Sequence, residues 1–201
     1  NSFNIIEVGL PRLSQNLMFT IFSYKITEKH LLIAILLFGA ILRFWGLGSA
    51  EIFHDEGLYA FRSIGYVDYI QNDDQTTPVQ WFKDTALPWW TKLSFHDAPP
   101  IFFIAQKISF DIFGDSLFAA RLPSALAGIL AIWLVYLIGR NMFSAKGGSS
   151  FGGKNEYFGL LAAFLLAINH IHVWISRSSL IESLLITAIL LNIYCFFRFL
   201  E

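Results

Sequence analysis

The chain has 201 residues, of which 55% are hydrophobic, 17% aromatic and only 14% charged. Soluble domains are about 45–50% apolar and about 25% charged, so this composition excludes an ordinary soluble protein and indicates an integral membrane protein. A net charge of −1 without a basic stripe argues against a nucleic-acid partner. The single cysteine, Cys195, excludes an internal disulfide framework.

The first 30 residues are predicted to form a cytoplasmic or interfacial segment, in which residues 10–24 are mildly amphipathic and suited to the membrane surface. Residues 31–201 are predicted to form a transmembrane module that is the N-terminal part of a longer protein. A spanning helix needs about 20 mostly apolar residues. The segments that qualify are 31–47, 122–142, 157–175 and 180–200. The sequence therefore predicts an all-α, polytopic membrane protein with about four transmembrane helices.

Two shorter amphipathic segments are predicted to lie along the membrane surface. Residues 99–114 carry Lys107 and Asp111, which are four positions apart and so share one face of a helix, with Gln106 beside them. A charge in the middle of a bilayer costs about 2.5–3.5 kcal/mol, which favours a surface helix over a fifth span. Residues 57–71 have apolar residues near helical spacing and are predicted to form a second surface helix.

Positive charges predict which ends of the spans face the cytoplasm. The N-terminal tail and the loop between the second and third spans are both basic, and with four spans they lie on one side. Cytoplasmic loops carry an excess of Lys and Arg, so that side is predicted to be cytoplasmic. The long loop 49–121 and the turn before the fourth span then lie on the outer, non-cytoplasmic face. That face is periplasmic or extracellular at a plasma membrane and lumenal at the endoplasmic reticulum membrane of a eukaryote.

Acidic residues gather on the predicted outer face. Asp55 and Glu56 follow the first span, and Glu182 opens the fourth. An Asp that precedes a helix is often only an N-cap, worth about 1 kcal/mol. An acid one turn into a span, however, more often faces a cavity. Together with His96 and Asp97 before a proline pair, these residues predict a site, with the three span-end carboxylates as candidate catalytic residues.

The sequence has no motif of a serine hydrolase, a zinc protease, a P-loop or a dinucleotide-binding fold. A well-placed carboxylate such as Asp55 suits general-base activation of a hydroxyl or amine that attacks an anomeric carbon. The departing group then needs cationic or metal help with its negative charge. Three arginines on the outer face could bind its phosphate, or could equally form salt bridges or extend to the membrane surface: Arg62, Arg121 and Arg177.

A divalent metal ion is an open alternative, and no cofactor is certain. Imidazole and carboxylate ligands suit Zn²⁺ or Mn²⁺. Four residues of the outer loop could supply them: His54, Glu56, His96 and Asp97. No tight ligand spacing supports such a site.

Short motifs follow one another along residues 31–200 on the predicted outer side. They are Arg43-Phe44-Trp45, Asp55-Glu56 with Tyr59-Ala60, Pro99-Pro100, Ala120-Arg121-Leu122-Pro123-Ser124, and Ser176-Arg177 ahead of Glu182. In order and spacing they resemble the N-terminal membrane module of the GT-C polyprenyl-phosphate-dependent glycosyltransferases. More narrowly, the chain is similar to the group of protein O-mannosyltransferases and lipid A aminoarabinose transferases.

The resemblance implies a sugar donor on a polyprenyl or dolichyl phosphate and a transfer that inverts the anomeric centre. It implies Asp55 as the catalytic acidic residue, Glu182 as a second acidic position and Tyr59 as part of the donor-site motif. The family often has a basic residue or a His directly before the proline pair. This chain has Ala98 there, so His96 becomes the substitute for contact with the lipid phosphate. The acceptor would be a protein, a lipid or a glycan.

Two other classes of protein remain as alternatives. A non-catalytic membrane bundle, such as a transporter half or an assembly subunit, would carry merely solvated acids at its rim. A transporter should have polar residues near the middle of its spans, where this chain has few, Asn169 and Thr187 being the nearest. A metal-dependent membrane hydrolase would need at least two His ligands from the outer loop.

Overall fold

A computed structural model describes residues 27–52, 54–64, 100–143 and 155–200. Every regular element in these ranges is an α-helix, which confirms the predicted all-α class. The helices are α1 (Glu28–Phe44), α2 (His54–Ile64), α3 (Pro100–Phe113), α4 (Leu117–Phe143), α5 (Asn155–Ile168), α6 (His170–Arg177) and α7 (Ile181–Leu200). The predicted amphipathic segment 10–24 and the second half of the surface helix 57–71 lie outside the described residues.

Two of these helices, α4 and α7, are long and apolar enough to cross a membrane by themselves. The pair α5 and α6 is a third candidate span. The first predicted span forms α1, which has 17 residues. At 1.5 Å per residue α1 is about 26 Å long, somewhat less than the hydrocarbon thickness of about 30 Å. The described helices confirm an integral membrane protein, whereas the count of four spans stays a prediction.

The prediction of 157–175 as one continuous helix is wrong. α5 ends at Ile168, α6 begins at His170, and the two are bent by 60°. The cause is Asn169, whose side-chain oxygen accepts a hydrogen bond from the backbone N–H of His172 at 3.0 Å and caps the start of α6. Asn side chains compete with the helical backbone in this way, so Asn favours caps over helix interiors.

α4 is the central helix and packs against α1, α3, α5, α6 and α7. The core between α4 and α5 consists of Ile132, Tyr136, Leu160, Ala163 and Ala167. The two backbones approach closely at Gly139 and Gly159. A Cβ atom on Gly159 would lie only 2.7 Å from the carbonyl oxygen of Tyr136. Small residues let helices pack closely where the surrounding lipid offers no hydrophobic driving force between them.

We expect Gly159→Leu to weaken the packing of α5 on α4 by about 1–3 kcal/mol, because the added side chain meets backbone atoms that cannot move independently. The measurement is the midpoint of thermal unfolding of the detergent-solubilised protein. Ala162→Leu is the matched control, since Ala162 also lies on α5 but lines an apolar groove of about 500 Å³ between α4, α5 and α7. Equal midpoints for the two variants would contradict this view of the contact.

Hydroxyl groups attach α7 to α4. Ser183 Oγ donates to the carbonyl oxygen of Ser124 at 2.7 Å, and Ser124 Oγ donates to the carbonyl of Leu180 at 3.0 Å. One turn further on, Thr187 Oγ1 donates to a carbonyl of α4 at 2.9 Å. Such side-chain hydrogen bonds between helices are common in membrane proteins. They fix the start of α7, which carries Glu182.

The predicted surface helix forms as α3 and has three distinct faces. Exposed apolar residues on one face are Ile101, Ile108 and Ile112. On a second face Lys107 and Asp111 form an ion pair, as their spacing predicts. The buried face consists of Phe102, Phe103, Gln106, Ser109 and Phe110. Gln106 therefore does not lie with the charged pair, because each helical position is rotated by about 100° from the next.

α3 contacts α4 where Pro123 interrupts the hydrogen bonding of α4. Pro123 has no backbone N–H, so the carbonyl of Ala119 lacks its usual helical donor. Ser109 Oγ donates to that carbonyl at 2.6 Å. The proline thus creates an acceptor on α4 that a polar side chain of α3 uses.

Candidate active site

Asp55 and Glu56 are neighbours in the first turn of α2 but have different surroundings. Asp55 is exposed, whereas Glu56 is only 2% exposed. α2 begins at His54, so Asp55 lies inside the helix and does not precede it as an N-cap would. Its negative charge still interacts favourably with the positive end of the helix dipole. Of the two carboxylates, only Asp55 is presented to solvent.

Glu56 forms a buried, two-pronged ion pair with Arg121 of α4. Arg121 Nε donates to Glu56 Oε1 at 2.9 Å, and Nη2 donates to Oε2 at 2.8 Å. The backbone N–H of Ser179 donates to the same Oε1 at 2.6 Å. Bidentate bonds of this kind fix geometry as well as charge. Glu56 therefore joins α2, α4 and the turn before α7.

Arg121 also binds the backbone of the segment that follows α1. Nη1 donates to the carbonyl oxygens of Leu47 and Ala50 at 2.9 and 3.2 Å, and Nη2 donates to that of Glu51 at 2.9 Å. With the two bonds to Glu56, all five N–H groups of a guanidinium are used. In this arrangement Arg121 holds the fold together and has no donor left for a phosphate.

α2 also packs on α3 through aromatic rings. The ring of Tyr59 meets those of Phe102 and Phe103 edge to face, with centroids 5.7 and 5.9 Å apart. Ile181 and Leu184 of α7 complete this cluster. Tyr59, a predicted donor contact, is half-buried here, and its packing holds α2 against α3.

Glu182 lies in the first turn of α7 and is exposed. Ser179, which binds Glu56, is three residues earlier, so the two acidic segments lie at the same end of the bundle. Arg177 ends α6, and its Nη1 donates to the carbonyl of Leu42 in α1 at 2.8 Å. We call this region, formed by residues 42–52, 54–56, 117–121 and 177–182, the acidic end.

Several predicted site residues are not covered. His96 and Asp97 lie outside the described residues, and the side chains of His54 and Arg62 are likewise not described. Within the described ranges, no group of three or more His, Cys, Asp or Glu residues is arranged to hold a metal ion. Glu56 is occupied by Arg121. The metal hypothesis therefore stays a prediction.

A buried polar contact that was not predicted from the sequence lies at the break between α5 and α6. Arg43 of α1 is fully buried, and its Nη1 donates to the carbonyls of Gly39 and Ala167 at 2.9 and 3.3 Å. Its Nη2 lies 2.7 Å from Nδ1 of His172. Ala167 is in the last turn of α5, where carbonyls lack helical donors. Two sequence features indicate this contact: Arg43 stands at the end of one apolar segment, and Asn169 stands inside another.

An all-α bundle with membrane-spanning helices and an acidic end has the architecture expected of GT-C membrane glycosyltransferases. Residues 97–201 match the family model described as dolichyl-phosphate-mannose-protein mannosyltransferase. This match covers more than half of the chain, and the chain belongs to that family. The resemblance drawn from the short motifs is thereby confirmed.

Two relatives from Bacillus subtilis (strain 168) have similar sequences. The protein named "Putative mannosyltransferase YkcB" is 29% identical over 139 residues, which are 59% of this chain and 18% of the relative. The protein named "Putative mannosyltransferase YycA" is 29% identical over 102 residues, 51% of this chain and 13% of the relative. The chain thus spans less than a fifth of the length of either relative. No solved structure matches the chain.

Proposed function

We propose that the protein transfers a sugar, with inversion, from a polyprenyl or dolichyl phosphate to an acceptor on the outer face of the membrane. Membership of the dolichyl-phosphate-mannose-protein mannosyltransferase family supports the lipid-phosphate donor, with mannose as the first sugar to test. The observation that carries the proposal is the difference between two neighbouring carboxylates at the acidic end. Glu56 forms a buried ion pair with Arg121, and this pair holds α2 in place. The adjacent Asp55 is exposed on the same helix.

In the proposed step Asp55 acts as the general base. Its carboxylate takes the proton of the acceptor hydroxyl, whose oxygen attacks the anomeric carbon of the donor. The bond from that carbon to the phosphate oxygen breaks, and the electron pair leaves with the polyprenyl phosphate. Attack from the side opposite the departing phosphate inverts the configuration. Glu182, exposed at the same end, is proposed to bind the sugar or the acceptor.

The phosphate of the donor needs cationic partners as its charge grows. Arg177 is the candidate within the described residues, because it is half-buried at the acidic end. Its Nη1 donates to the carbonyl of Leu42, which leaves Nε and Nη2 to bind a phosphate. His96, Arg62 and Tyr59 remain proposed donor contacts. Arg121 is left out, since its guanidinium is fully engaged by Glu56 and three carbonyls.

The experiment is a transfer assay with the full-length protein in lipid nanodiscs and a radiolabelled polyprenyl-phosphate mannose. The expected result is movement of the label into a protein, lipid or glycan acceptor fraction. NMR of the product should show that the anomeric configuration is inverted relative to the donor. Transfer from a nucleotide-linked sugar, with none from the lipid-linked sugar, would overturn the proposal.

The proposed face of the site can be tested separately by cysteine labelling. In a background with Cys195→Ser, a cysteine at Asp111, exposed on α3, should react with a membrane-impermeant thiol reagent in intact cells. A cysteine at Ser149, in the loop predicted to be cytoplasmic, should react only after the membrane is opened. The reverse pattern would place the acidic end on the cytoplasmic side.

A further inference from the structure

Gln106 of α3 is a buried amide whose hydrogen-bonding groups are all used. It is completely buried, and its Oε1 accepts a hydrogen bond from Ser63 Oγ at 2.6 Å. Its Nε2 donates to the carbonyl oxygen of Ala120 at 2.9 Å and to Ser179 Oγ. Fully satisfied buried polar groups of this kind make an arrangement rigid and specific.

These bonds attach the last turn of α2, whereas Glu56 attaches its first turn. Ser63 belongs to the last turn of α2, which runs from His54 to Ile64. Both attachments lead to Ser179, whose N–H binds Glu56 and whose Oγ accepts from Gln106. α2 is thus held at two points against the residue that lies three positions before Glu182. The orientation of α2 determines where Asp55 stands relative to Glu182.

Loss of the amide need not unfold the protein. Ser63 Oγ has a second acceptor, the carbonyl of Tyr59 at 3.0 Å, so the hydroxyl keeps a partner without Gln106. The aromatic contact of Tyr59 with Phe102 and Phe103 and the Glu56–Arg121 pair also remain. A side chain of similar size at position 106 would keep the packing volume but release the last turn of α2.

We propose that Gln106 is a positioning residue for the transfer reaction: by holding the last turn of α2 to Ser179 and Ala120, it fixes Asp55 relative to Glu182. This inference rests on the proposed function. Gln106 touches neither donor nor acceptor in the mechanism above and acts through α2. Misplacement of a catalytic group by about 1 Å can lower a rate by about 10²-fold.

The kinetic test uses the full-length protein with Gln106→Met, which keeps length and volume but has no hydrogen-bonding amide. We expect kcat with polyprenyl-phosphate mannose to fall at least about tenfold, with KM for the donor within about twofold of wild type. Lys107→Met is the matched control, because Lys107 is the next residue of α3 and its ion pair within the described residues is with Asp111 at the surface. Its kcat should equal that of wild type.

Ser63→Ala is the milder variant and keeps the inference testable if Gln106→Met fails to fold. It removes one partner of the amide and should lower kcat several-fold without changing KM. Unchanged kcat in both Gln106→Met and Ser63→Ala would overturn the inference.

A second measurement does not depend on activity. Spin labels on cysteines at positions 55 and 182, in a Cys195→Ser background, report the distance between α2 and α7. The distance distribution should broaden with Gln106→Met and stay unchanged with Lys107→Met. An unchanged distribution with Gln106→Met overturns the inference but leaves the proposed function standing. Absence of transfer in the wild-type protein overturns the proposed function and, with it, the catalytic part of the inference.

Discussion

Asp55→Asn is expected to lower kcat for sugar transfer by about 10²–10⁴-fold, the range that general-base catalysis supplies. Asn has nearly the size and shape of Asp but cannot take a proton from the acceptor hydroxyl. Asp55 is exposed in the first turn of α2, so the substitution changes no buried side chain. The lost interaction with the helix dipole costs about 0.3–1 kcal/mol. The measurement is kcat with polyprenyl-phosphate mannose, together with the thermal unfolding midpoint.

Asp111→Asn is the matched control for this prediction. Asp111 is also an exposed carboxylate, but it lies on α3 and pairs with Lys107. An exposed ion pair contributes about 0–1 kcal/mol, so both stability and kcat should stay close to wild type. If Asp55→Asn and Asp111→Asn had the same kcat as wild type, Asp55 would not be the base.

Glu56→Ala should destabilise the protein by about 3–5 kcal/mol, because it leaves the buried guanidinium of Arg121 without its counter-charge. The two side chains are only 3% and 4% exposed, so the guanidinium left unpaired is not solvated by bulk water. The loss should appear as a lower thermal unfolding midpoint in detergent and as poor recovery of inserted protein. Transfer should fall too, since Glu56 holds the helix that carries Asp55.

Arg140→Met serves as the control, because Arg140 is an exposed arginine near the other end of α4. Surface substitutions of this kind usually change stability by less than about 0.5 kcal/mol. The double variant Glu56→Leu with Arg121→Met should recover only part of the loss, because Leu47, Ala50 and Glu51 then lack the donor to their carbonyls. Stability of Glu56→Ala equal to that of Arg140→Met would mean that the pair does not hold the fold.

The apolar helices were predictable because their signal is local. The segment 180–200 differs by one residue from Ile181–Leu200, since length and hydropathy alone define such a helix. α4 begins at Leu117, five residues before the predicted start at 122. The predicted start at 122 lies directly after the charge of Arg121. The structure continues through it because Glu56 neutralises that charge.

The contacts of the acidic end were not predictable because they are not local. Glu56 and Arg121 are 65 positions apart. From the sequence alone, any of several arginines on the predicted outer face could bind a carboxylate or a phosphate. The bend at Asn169 was not predictable for another reason, because a single polar residue hardly changes the mean hydropathy of an apolar segment. Asp55, by contrast, was found from its type and its place after a span, and its role stays a prediction.

The burial of Arg43 has a consequence for how the protein is made. His172, which meets its guanidinium, is synthesised 129 positions later. Until α5 and α6 are made, the guanidinium can bond only the carbonyl of Gly39 in its own helix, among the contacts it makes in the folded chain. We therefore expect the packing of α1 on α5 and α6 to be completed only after both of those helices have been synthesised.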